Sequence, residues 1–442
     1  MPCASGRRHA PDGGGAVEHL VERILAACCD TASEAMWLDG GPEGRGYFAH
    51  QPDAVVYGSG LEDLRMVDDV FGGRRGGICM GHVTYDAGVA WLLGRTARPA
   101  HVPPVLVRHY PAWLEVERDR VVDVRGDGAA GRALEAGLAR TEPHEARGFP
   151  LEPMRPVLPE EVHRARVRRA LDAIARGETY QVNLAQPFFA PWSRTVAEDG
   201  LGQAAADLYV HVRRRSPATF GAFYGAFDVF VVSNAPETLL VVEQDGERVV
   251  ARSRPIKGTR PRGRTAADDR RRGQELLGST KDLAEHVMIV DLVRNDLGRV
   301  ARPGTVVAPS RPSLVTLPTV HHLESEVAAA LDRGTPPSRV FAALFPGGSV
   351  TGAPKRRTVE IIDALEDRAR GVYCGAIFVA TRGRFAASIP IRTGLAHPQG
   401  LELLAGGGIV ADSDPEAERV ETEVKTRAFC IDGHGDDVAD PR

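Results

Sequence analysis

The stretch that most constrains the fold is residues 229–259, which read VFVVSNAPETLLVVEQDGERVVARSRPIKGT. Short apolar runs follow one another in it, and Gln244, Asp245 and Gly246 stand between two of them. An Asp-Gly pair between apolar runs is typical of the turn of a β-hairpin, which joins antiparallel strands. The stretch therefore predicts an antiparallel sheet built from strands that are consecutive in the sequence.

Helical patterns alternate with such strands. After residue 160, Val167, Ala170 and Ile174 recur at helical spacing and the pattern stops at Gly177. A second long helix is expected over STKDLAEHVMIVDLVRNDLGRV, with Ser279 or Thr280 as its cap, and the alternation continues to ETEVKTRAF. The sequence therefore predicts a mixed α/β (α+β) protein.

A strand is expected directly after the first of these helices. Its alternation places Tyr180, Val182 and Leu184 on one face, and Gln181 and Asn183 on the other. This pattern suits any half-buried strand, but two amides on one face are also suited to lining a polar pocket. Both interpretations stay open from the alternation alone.

Changes in composition divide the chain. Residues 1–15 and 433–442 are expected to be disordered tails, 16–140 an N-terminal region that begins with an amphipathic helix at 16–29, 141–158 a linker, and 159–432 a larger C-terminal region. The net charge of -4 gives no case for nucleic acid or an anionic membrane. No apolar run reaches 18 residues, so we expect a cytoplasmic protein without a membrane span.

Lysine is rare in this chain. Of the 55 basic residues, 51 are arginines, so a lysine suggests a need that a guanidinium does not meet, although chance survival is the alternative. Lysine supplies a compact ammonium, or a nucleophilic amine once it has lost its proton. The four positions are Lys257, Lys281, Lys355 and Lys425.

Nine motifs occur in order and contain all four lysines: TYQVNLAQ, PETLL, PIKGTRPRG, KDLAEHVMIVDLVRNDLGRV, HHLESEV, FPGGSVTGAPK, RGVYCGAIF, IRTG and AGGGIVADSDPEAERVETEVK. Together they resemble the chorismate-utilising enzymes, and most closely their aminodeoxychorismate synthase component I branch. The resemblance is dense from about 160 to 430 and weaker from 20 to 125. It implies two large, mainly antiparallel β-sheets packed together and flanked by helices, with 159–432 as the catalytic domain.

The resemblance also implies a metal site. Asp282 and Glu285 lie one helical turn apart, as do Glu418 and Glu421, which by spacing alone suits a solvated face or a surface salt bridge to Lys425. In the family pattern, Glu285 and Glu421 match the two carboxylates that hold Mg²⁺, which would bind the ring carboxylate of chorismate.

Further residues match the family's substrate contacts. A triple glycine is by itself typical of a turn, but here it is similar to a backbone that binds the second carboxylate of chorismate. The matching positions are Gln181, Gly258, Thr259, Tyr373, Arg392, Gly406, Gly407, Gly408 and Lys425. Glu237 resembles the general acid that protonates the departing C4 hydroxyl, and His322 resembles the active-site histidine. The chain departs from the family pattern at Ala235, where serine is usual, and at Pro187, where arginine is common.

Two positions bear on the reaction. Water-adding relatives carry a lysine base where Gln181 stands, and anthranilate synthases carry a small residue where Lys257 stands. The resemblance therefore implies amination of chorismate through a covalent Lys257 adduct, giving 4-amino-4-deoxychorismate for para-aminobenzoate and folate or for a natural product. The alternative is anthranilate synthase component I or a relative that forms an aminated isochorismate.

The resemblance implies that a separate glutamine amidotransferase subunit supplies the ammonia. GGICMGHVTYDAG, around Cys79, has some likeness to the nucleophile elbow of such glutaminases, but no catalytic histidine and glutamate can be placed downstream. We therefore expect Cys79 to be a buried structural thiol.

Overall fold

The computed structural model describes residues 19–41, 44–193, 196, 200–317 and 320–430. The predicted tails at 1–15 and 433–442 lie outside these residues. The helices are α1 Leu20–Cys29, α2 Arg65–Phe71, α3 Tyr85–Leu93, α4 Gly128–Arg140, α5 Glu160–Ala175, α6 Leu201–Arg215, α7 Ala266–Gly278, α8 Thr280–Gly298, α9 Pro337–Leu344, α10 Lys355–Leu365 and α11 Pro415–Thr426. Short 3₁₀ turns lie at Thr31–Ser33, Leu61–Leu64, Gly348–Val350 and Arg427–Phe429.

The strands form three sheets in which the paired neighbours run antiparallel. Their bounds are β1 Met36–Asp39, β2 Arg45–Ala49, β3 Ala54–Gly58, β4 Ile78–Val83, β5 Val105–Tyr110, β6 Ala112–Glu117, β7 Arg120–Gly126, β8 Arg155–Pro156, β9 Val182–Pro191, β10 Phe220–Ala226, β11 Val229–Ala235, β12 Glu237–Asp245, β13 Arg248–Arg254, β14 Ile256–Pro261, β15 Ser313–Thr316, β16 Val320–Glu324, β17 Val327–Leu331, β18 Ala376–Thr381, β19 Arg384–Ile389, β20 Thr393–His397 and β21 Gly400–Ile409. The first sheet has the order β7-β6-β2-β1-β10-β11-β20-β21-β9-β8, the second β17-β13-β12-β19-β18-β4-β5-β3, and the third β14-β16-β15.

The two large sheets pack face to face. One buried cluster joins Met36 and Leu38 of the first sheet to Met80 and Leu106 of the second. Other apolar clusters cover the outer faces, where α1 and α6 pack on the first sheet and α2 and α9 on the second. The predicted class, a mixed α/β fold with two large antiparallel sheets flanked by helices, is confirmed.

The predicted hairpin is also confirmed. Asp245 of β12 pairs with Arg248 of β13, and Gly246 adopts the left-handed conformation that the turn requires. The long helix α8 begins where expected, since the Ser279 hydroxyl accepts a hydrogen bond from the Asp282 N–H.

Strands from both sides of residues 141–158 share the large sheets. β1, β2, β6 and β7 join the first sheet, and β3, β4 and β5 join the second. The role of 141–158 as a linker between domains stays a prediction. Within the described ranges, every helix is too short or too polar to cross a membrane.

One local expectation is corrected, and one local pattern does not take its commonest form. Tyr180 does not pack beside Val182, because its N–H donates to Ala353 O and its side chain is 71 % exposed, and β9 begins only at Val182. The triple glycine is not a turn, since it lies within β21 and pairs residue by residue with β9. The opposite faces of β9 are as predicted, with Val182 and Leu184 packed against helices.

Candidate active site

The third sheet carries Lys257 to the site. On β14 and β16, Lys257 lies opposite Leu323, and Thr259 lies opposite His322, with an irregularity in register between the two pairs. Gly258, at the irregularity, has a φ of +68°, and a side-chain carbon there would lie 2.9 Å from a methyl of Leu276. Both the backbone conformation and the close approach of α7 therefore require glycine at this position.

His322 lies beside this irregular pairing. Its Nδ1 is 2.9 Å from Thr259 Oγ1 and 3.2 Å from Gly258 O. Its Nε2 is buried and has no hydrogen-bond partner in the described part of the chain. Burial lowers the pKa of His322, and Arg392 lowers it further, so the ring is neutral near pH 7. The contacts of Nδ1 with the Thr259 hydroxyl and the Gly258 carbonyl fix the ring and leave Nε2 for a ligand.

Glu237 is the first residue of β12, where it lies opposite Ile389 of β19. Its side chain is buried. Burial raises the pKa of Glu237 to about 7, although the Ser349 hydroxyl, the Lys257 ammonium and the Ile256 backbone each lower it. A carboxyl group that holds its proton near neutral pH can act as a general acid.

Lys257 faces charged groups of both signs. The side chain is half-buried, and burial lowers the pKa of its ammonium. Glu285, Glu237 and Glu421 raise this pKa, whereas Lys425 lowers it again, and the net direction is downward. The neutral, nucleophilic amine is therefore easier to form than in an exposed lysine.

Four carboxylates from two helices lie near one another, and two of them, Glu285 and Glu421, act on this amine. Asp282 and Glu285 are on α8, and Glu418 and Glu421 are on α11. Asp282 is occupied by Arg260, with 2.9 Å between Oδ2 and Nη2. Burial raises the pKa of Glu285, nearby lysines lower it, and the carboxylate of Glu421 raises it again. The two helices thus bring these carboxylates together at one place, beside Lys257, Lys281 and Lys425.

This place fits Mg²⁺. A side-chain carbon at Gly407 would lie 2.7 Å from Glu418 Oε2 and 3.7 Å from Glu421 Oε1, so the bare glycine leaves the space over which the α11 carboxylates converge. Mg²⁺ prefers oxygen ligands and is usually held by one or two carboxylates together with water and substrate oxygens. Across the described ranges, no three His, Cys, Asp or Glu side chains are grouped to hold a metal by themselves. Glu285 and Glu421 therefore fit an ion that takes its remaining oxygen ligands from outside the protein.

The other two glycines of β21 leave room for two predicted substrate contacts. A side-chain carbon would lie 3.1 Å from the Tyr373 hydroxyl at Gly406 and 3.1 Å from the Gln181 amide carbon at Gly408. β20 pairs with β21 only over residues 400–403, so the edge beside the glycines is not covered by that strand. The glycines therefore bring backbone and side-chain donors into one polar recess.

Gln181 directly precedes β9 and is buried. Neither atom of its amide has a hydrogen-bond partner among the described residues, and the same holds for Oδ1 of Asn183. Buried polar atoms without partners are costly and rare in folded proteins. Their presence beside Gly408 indicates a site that a polar ligand completes.

Lys425 borders the recess, and Arg392 lies near His322. Lys425 donates to Gly406 O at 2.7 Å and pairs with Glu421 at 2.7 Å. Arg392 has a φ of +52°, which is a strained conformation for arginine, and its Nη1 donates to Ser216 Oγ at 3.2 Å. Burial lowers the pKa of Arg392. Both side chains are placed to bind a carboxylate.

Cys79 does not have the geometry of a nucleophile elbow. It lies within β4, opposite His109 and Ala380 of the neighbouring strands, whereas an elbow places its nucleophile on a turn between strand and helix. Its thiol is fully buried, and burial raises its pKa to about 12. The expectation of a buried structural thiol is confirmed.

A family model described as chorismate binding enzyme matches residues 47–430. The chain belongs to this family. The match begins well before residue 159, and the structure shows strands of the N-terminal region in both large sheets.

Other members of the chorismate binding family catalyse different reactions. Over 247 residues the chain is 43% identical to aminodeoxychorismate synthase component 1 of Salmonella typhimurium, which covers 56% of this chain and 52% of the relative. It is 40% identical over 264 residues to anthranilate synthase component 1 of Thermus thermophilus, and the matched stretch covers 60% of this chain and 54% of that relative. The chain thus spans about half the length of these relatives. Anthranilate synthase component I from Streptococcus pneumoniae has a similar structure, with a TM-score of 0.71, 26% identity and 90% of each chain covered.

One functional arrangement was missed from the sequence. Arg370 and Glu366 form a fully buried ion pair at 2.7 Å. Arg370 also donates to Asn183 O, and Glu366 accepts from the Ala185 N–H, so the pair ties β9 to the segment that carries Tyr373. Charges four residues apart are typical of an exposed helix face, and no local signal marks this pair as buried.

Proposed function

We propose that this chain aminates chorismate at C4 with ammonia and forms 4-amino-4-deoxychorismate. The observation that carries the proposal is the pairing of an amine and an acid whose pKa values are both shifted toward neutrality. The pKa of Lys257 is lowered mainly by burial, and that of Glu237 is raised to about 7. Together they supply a nucleophile and a proton donor near neutral pH.

In the first step, the neutral Lys257 amine attacks ring C2 of chorismate. Both ring double bonds shift by one position, the C4–O bond breaks, and Glu237 donates its proton to the departing hydroxyl, which leaves as water. The attacking amine gives one proton to the Glu237 carboxylate as the C–N bond forms, which restores the acid. Lys257 is then joined to the ring, and two easier displacements replace one difficult displacement.

In the second step, ammonia attacks C4 of the adduct. Both double bonds shift back, the C2–N bond breaks, and Lys257 regains a proton from the incoming nitrogen, which becomes the amino group of the product. Chorismate and ammonia are thus converted into 4-amino-4-deoxychorismate and water. His322 and Arg392 hold the substrate. Gln181 is not a base, so a water molecule beside it is not activated for attack.

Glu285 and Glu421 would hold the Mg²⁺ ion, with Glu418 beside them. When bound, the ion neutralises the ring carboxylate and draws electron density from the ring. Lys425, Tyr373 and the backbone of the β21 glycines bind the second carboxylate. Magnesium removal by EDTA should abolish turnover, and added Mg²⁺ should restore it.

Anthranilate synthesis is the second candidate, since an anthranilate synthase component is 40% identical over part of the chain. The two reactions differ in where nitrogen attaches and in whether pyruvate is lost. Mass analysis of the product from chorismate and an ammonium salt decides between them. We expect 4-amino-4-deoxychorismate; anthranilate with pyruvate would replace this proposal by the second candidate.

Changing either metal ligand should reduce metal binding without unfolding the chain. In Glu285→Gln and Glu421→Gln, we expect the Mg²⁺ concentration for half-maximal activity to rise about tenfold or more, because each loses one of two charged ligands. Glu423→Gln is the matched control, since Glu423 is on the same helix but pairs with Arg419. Unchanged magnesium dependence in both ligand variants would contradict the assignment.

The isolated chain should use ammonia but not glutamine. Adding a glutamine amidotransferase subunit should confer glutamine use, and Cys79→Ser should leave the ammonia reaction unchanged, because the thiol is buried and protonated. The measurement is amination rate with each nitrogen donor. Intrinsic glutamine hydrolysis that is lost in Cys79→Ser would overturn this assignment.

A further inference from the structure

A small cavity lies behind the carboxyl group of Glu237. Its polar lining comes from Thr238, which is partly buried, and from the buried residues Glu237, Ser253, Asp296 and Ser349. Its volume of about 10 Å³ is at the lower limit for one water molecule, which needs two to four polar partners. The cavity therefore places the proposed acid in the same buried polar space as a second carboxylate.

That second carboxylate belongs to a buried ion pair. Lys355 Nζ donates to Asp296 Oδ2 at 2.6 Å and to Leu344 O at 2.6 Å, and the two side chains are only 8 % and 6 % exposed. Burial raises the pKa of Asp296 and lowers that of Lys355, while each partner favours the charged form of the other. Arg299, which is about half exposed, lies 3.3 Å from Asp296 Oδ1. A buried ion pair often stabilises a fold no more than apolar residues of the same volume would. Its presence here can therefore have a reason other than stability, such as an effect on the nearby acid.

The FPGGSVTGAPK motif forms the wall between the pair and the acid. A side-chain carbon at Gly348 would lie 2.5 Å from the Leu292 side chain, so this segment packs directly on α8. The adjacent Ser349 hydroxyl is buried without a well-aligned partner in the described structure, yet it is close enough to lower the pKa of Glu237. The same segment ends at Lys355 and thus spans from the cavity to the pair.

We propose that Lys355 and Asp296 are a positioning pair that sets the protonation of Glu237 across this cavity, with Ser349 between them. The inference rests on the proposed role of Glu237 as the acid. The titratable groups that act on Glu237 directly are the Lys257 ammonium and the Cys374 thiol, whereas the pair would act on it only across the cavity that Glu237 and Asp296 both line. Burial raises the pKa of Glu237, and an intact pair, which adds little net charge, leaves that rise in place.

Breaking the pair from each side should move the pKa of Glu237 in opposite directions. Asp296→Asn leaves the Lys355 cation unbalanced, which favours the Glu237 carboxylate and lowers its pKa by on the order of one unit. Lys355→Met leaves the Asp296 anion, which raises the pKa of Glu237. The rise should be smaller, because Arg299 still faces Asp296.

The readout is the carboxyl infrared band of Glu237 against pH, obtained by subtracting the spectrum of the matching protein with Glu237→Gln. It needs no substrate, so failure of the amination proposal, seen in product analysis, is distinguished from failure of this inference. Opposite shifts support the inference even if no aminated product forms. Shifts in the same direction, or no shift, would overturn it.

Since losing one partner of a buried pair is strongly destabilising, two milder variants are measured as well. The double variant Asp296→Asn/Lys355→Met should return the pKa of Glu237 close to its value in the unmodified chain. Ser349→Ala should raise this pKa, because the Ser349 hydroxyl lowers it. Arg213→Met is the control, because it breaks a pair with buried Asp39 on β1 and should leave the titration unchanged. Unaltered titration in Ser349→Ala together with a double variant shifted as far as either single variant would also overturn the inference.

Discussion

Replacing Lys257 by arginine is expected to reduce kcat/KM for chorismate amination by about 10³-fold or more. The substitution keeps the positive charge but removes the nucleophile, and loss of a covalent catalyst removes a whole reaction path. Arginine stands at 51 of the 55 basic positions of this chain, so it is well tolerated wherever charge alone is needed. The expected loss is therefore specific to the chemistry of the amine.

Lys257→Ala is the matched comparison. If Lys257 only pairs with Glu285 or Glu237, arginine should restore most of the activity that alanine loses. If it forms the adduct, both variants should be inactive in the C4 amination. Alanine should also leave space for direct attack of ammonia at C2, giving anthranilate-type products. Near-normal rates for Lys257→Arg would remove the residue from the mechanism.

Glu237→Gln is expected to lower the rate by about 10²- to 10⁴-fold, the usual contribution of a general acid. Glutamine has nearly the same shape but cannot release a proton to the departing hydroxyl. The pH profile gives a second readout. The reaction needs Glu237 protonated and Lys257 neutral. The activity of the unmodified chain should therefore fall above an inflection near pH 7, where Glu237 loses its proton.

In Glu237→Gln, this fall in activity above pH 7 should disappear. The remaining activity should still rise with pH as Lys257 loses its proton, since burial lowers the pKa of that residue. The measurement is kcat/KM over a pH series, with circular dichroism to establish folding. An inflection that persists unchanged in the variant belongs to another group and would refute the assignment of Glu237.

Local turn chemistry explains which parts of the fold could be predicted. The hairpin at Asp245 and the start of α8 at Ser279 depend on residues close in sequence, and both were predicted correctly. The strand conformation of Gly406–Gly408 depends on pairing with β9, more than 200 positions earlier, and glycines carry no signal that separates a turn from a strand. Tyr180 deviates for the same reason, through its hydrogen bond to Ala353.

The candidate site was accessible mainly through its motifs. The structure brings Lys257, Glu237, Glu285 and Glu421 close together although they come from four separate elements. Patterns within one helix or strand do not predict such proximity. The partner of Lys355 was inaccessible in the same way, because Asp296 lies 59 residues away on another helix.

The covalent adduct is tested most directly by intact-protein mass after chorismate is added without ammonia and the reaction is quenched. The account predicts an added mass of one chorismate minus one water, located on Lys257, absent from Lys257→Arg, and removed when ammonia is supplied before quenching. Turnover to 4-amino-4-deoxychorismate without any such adduct, or an equal adduct in Lys257→Arg, would contradict it.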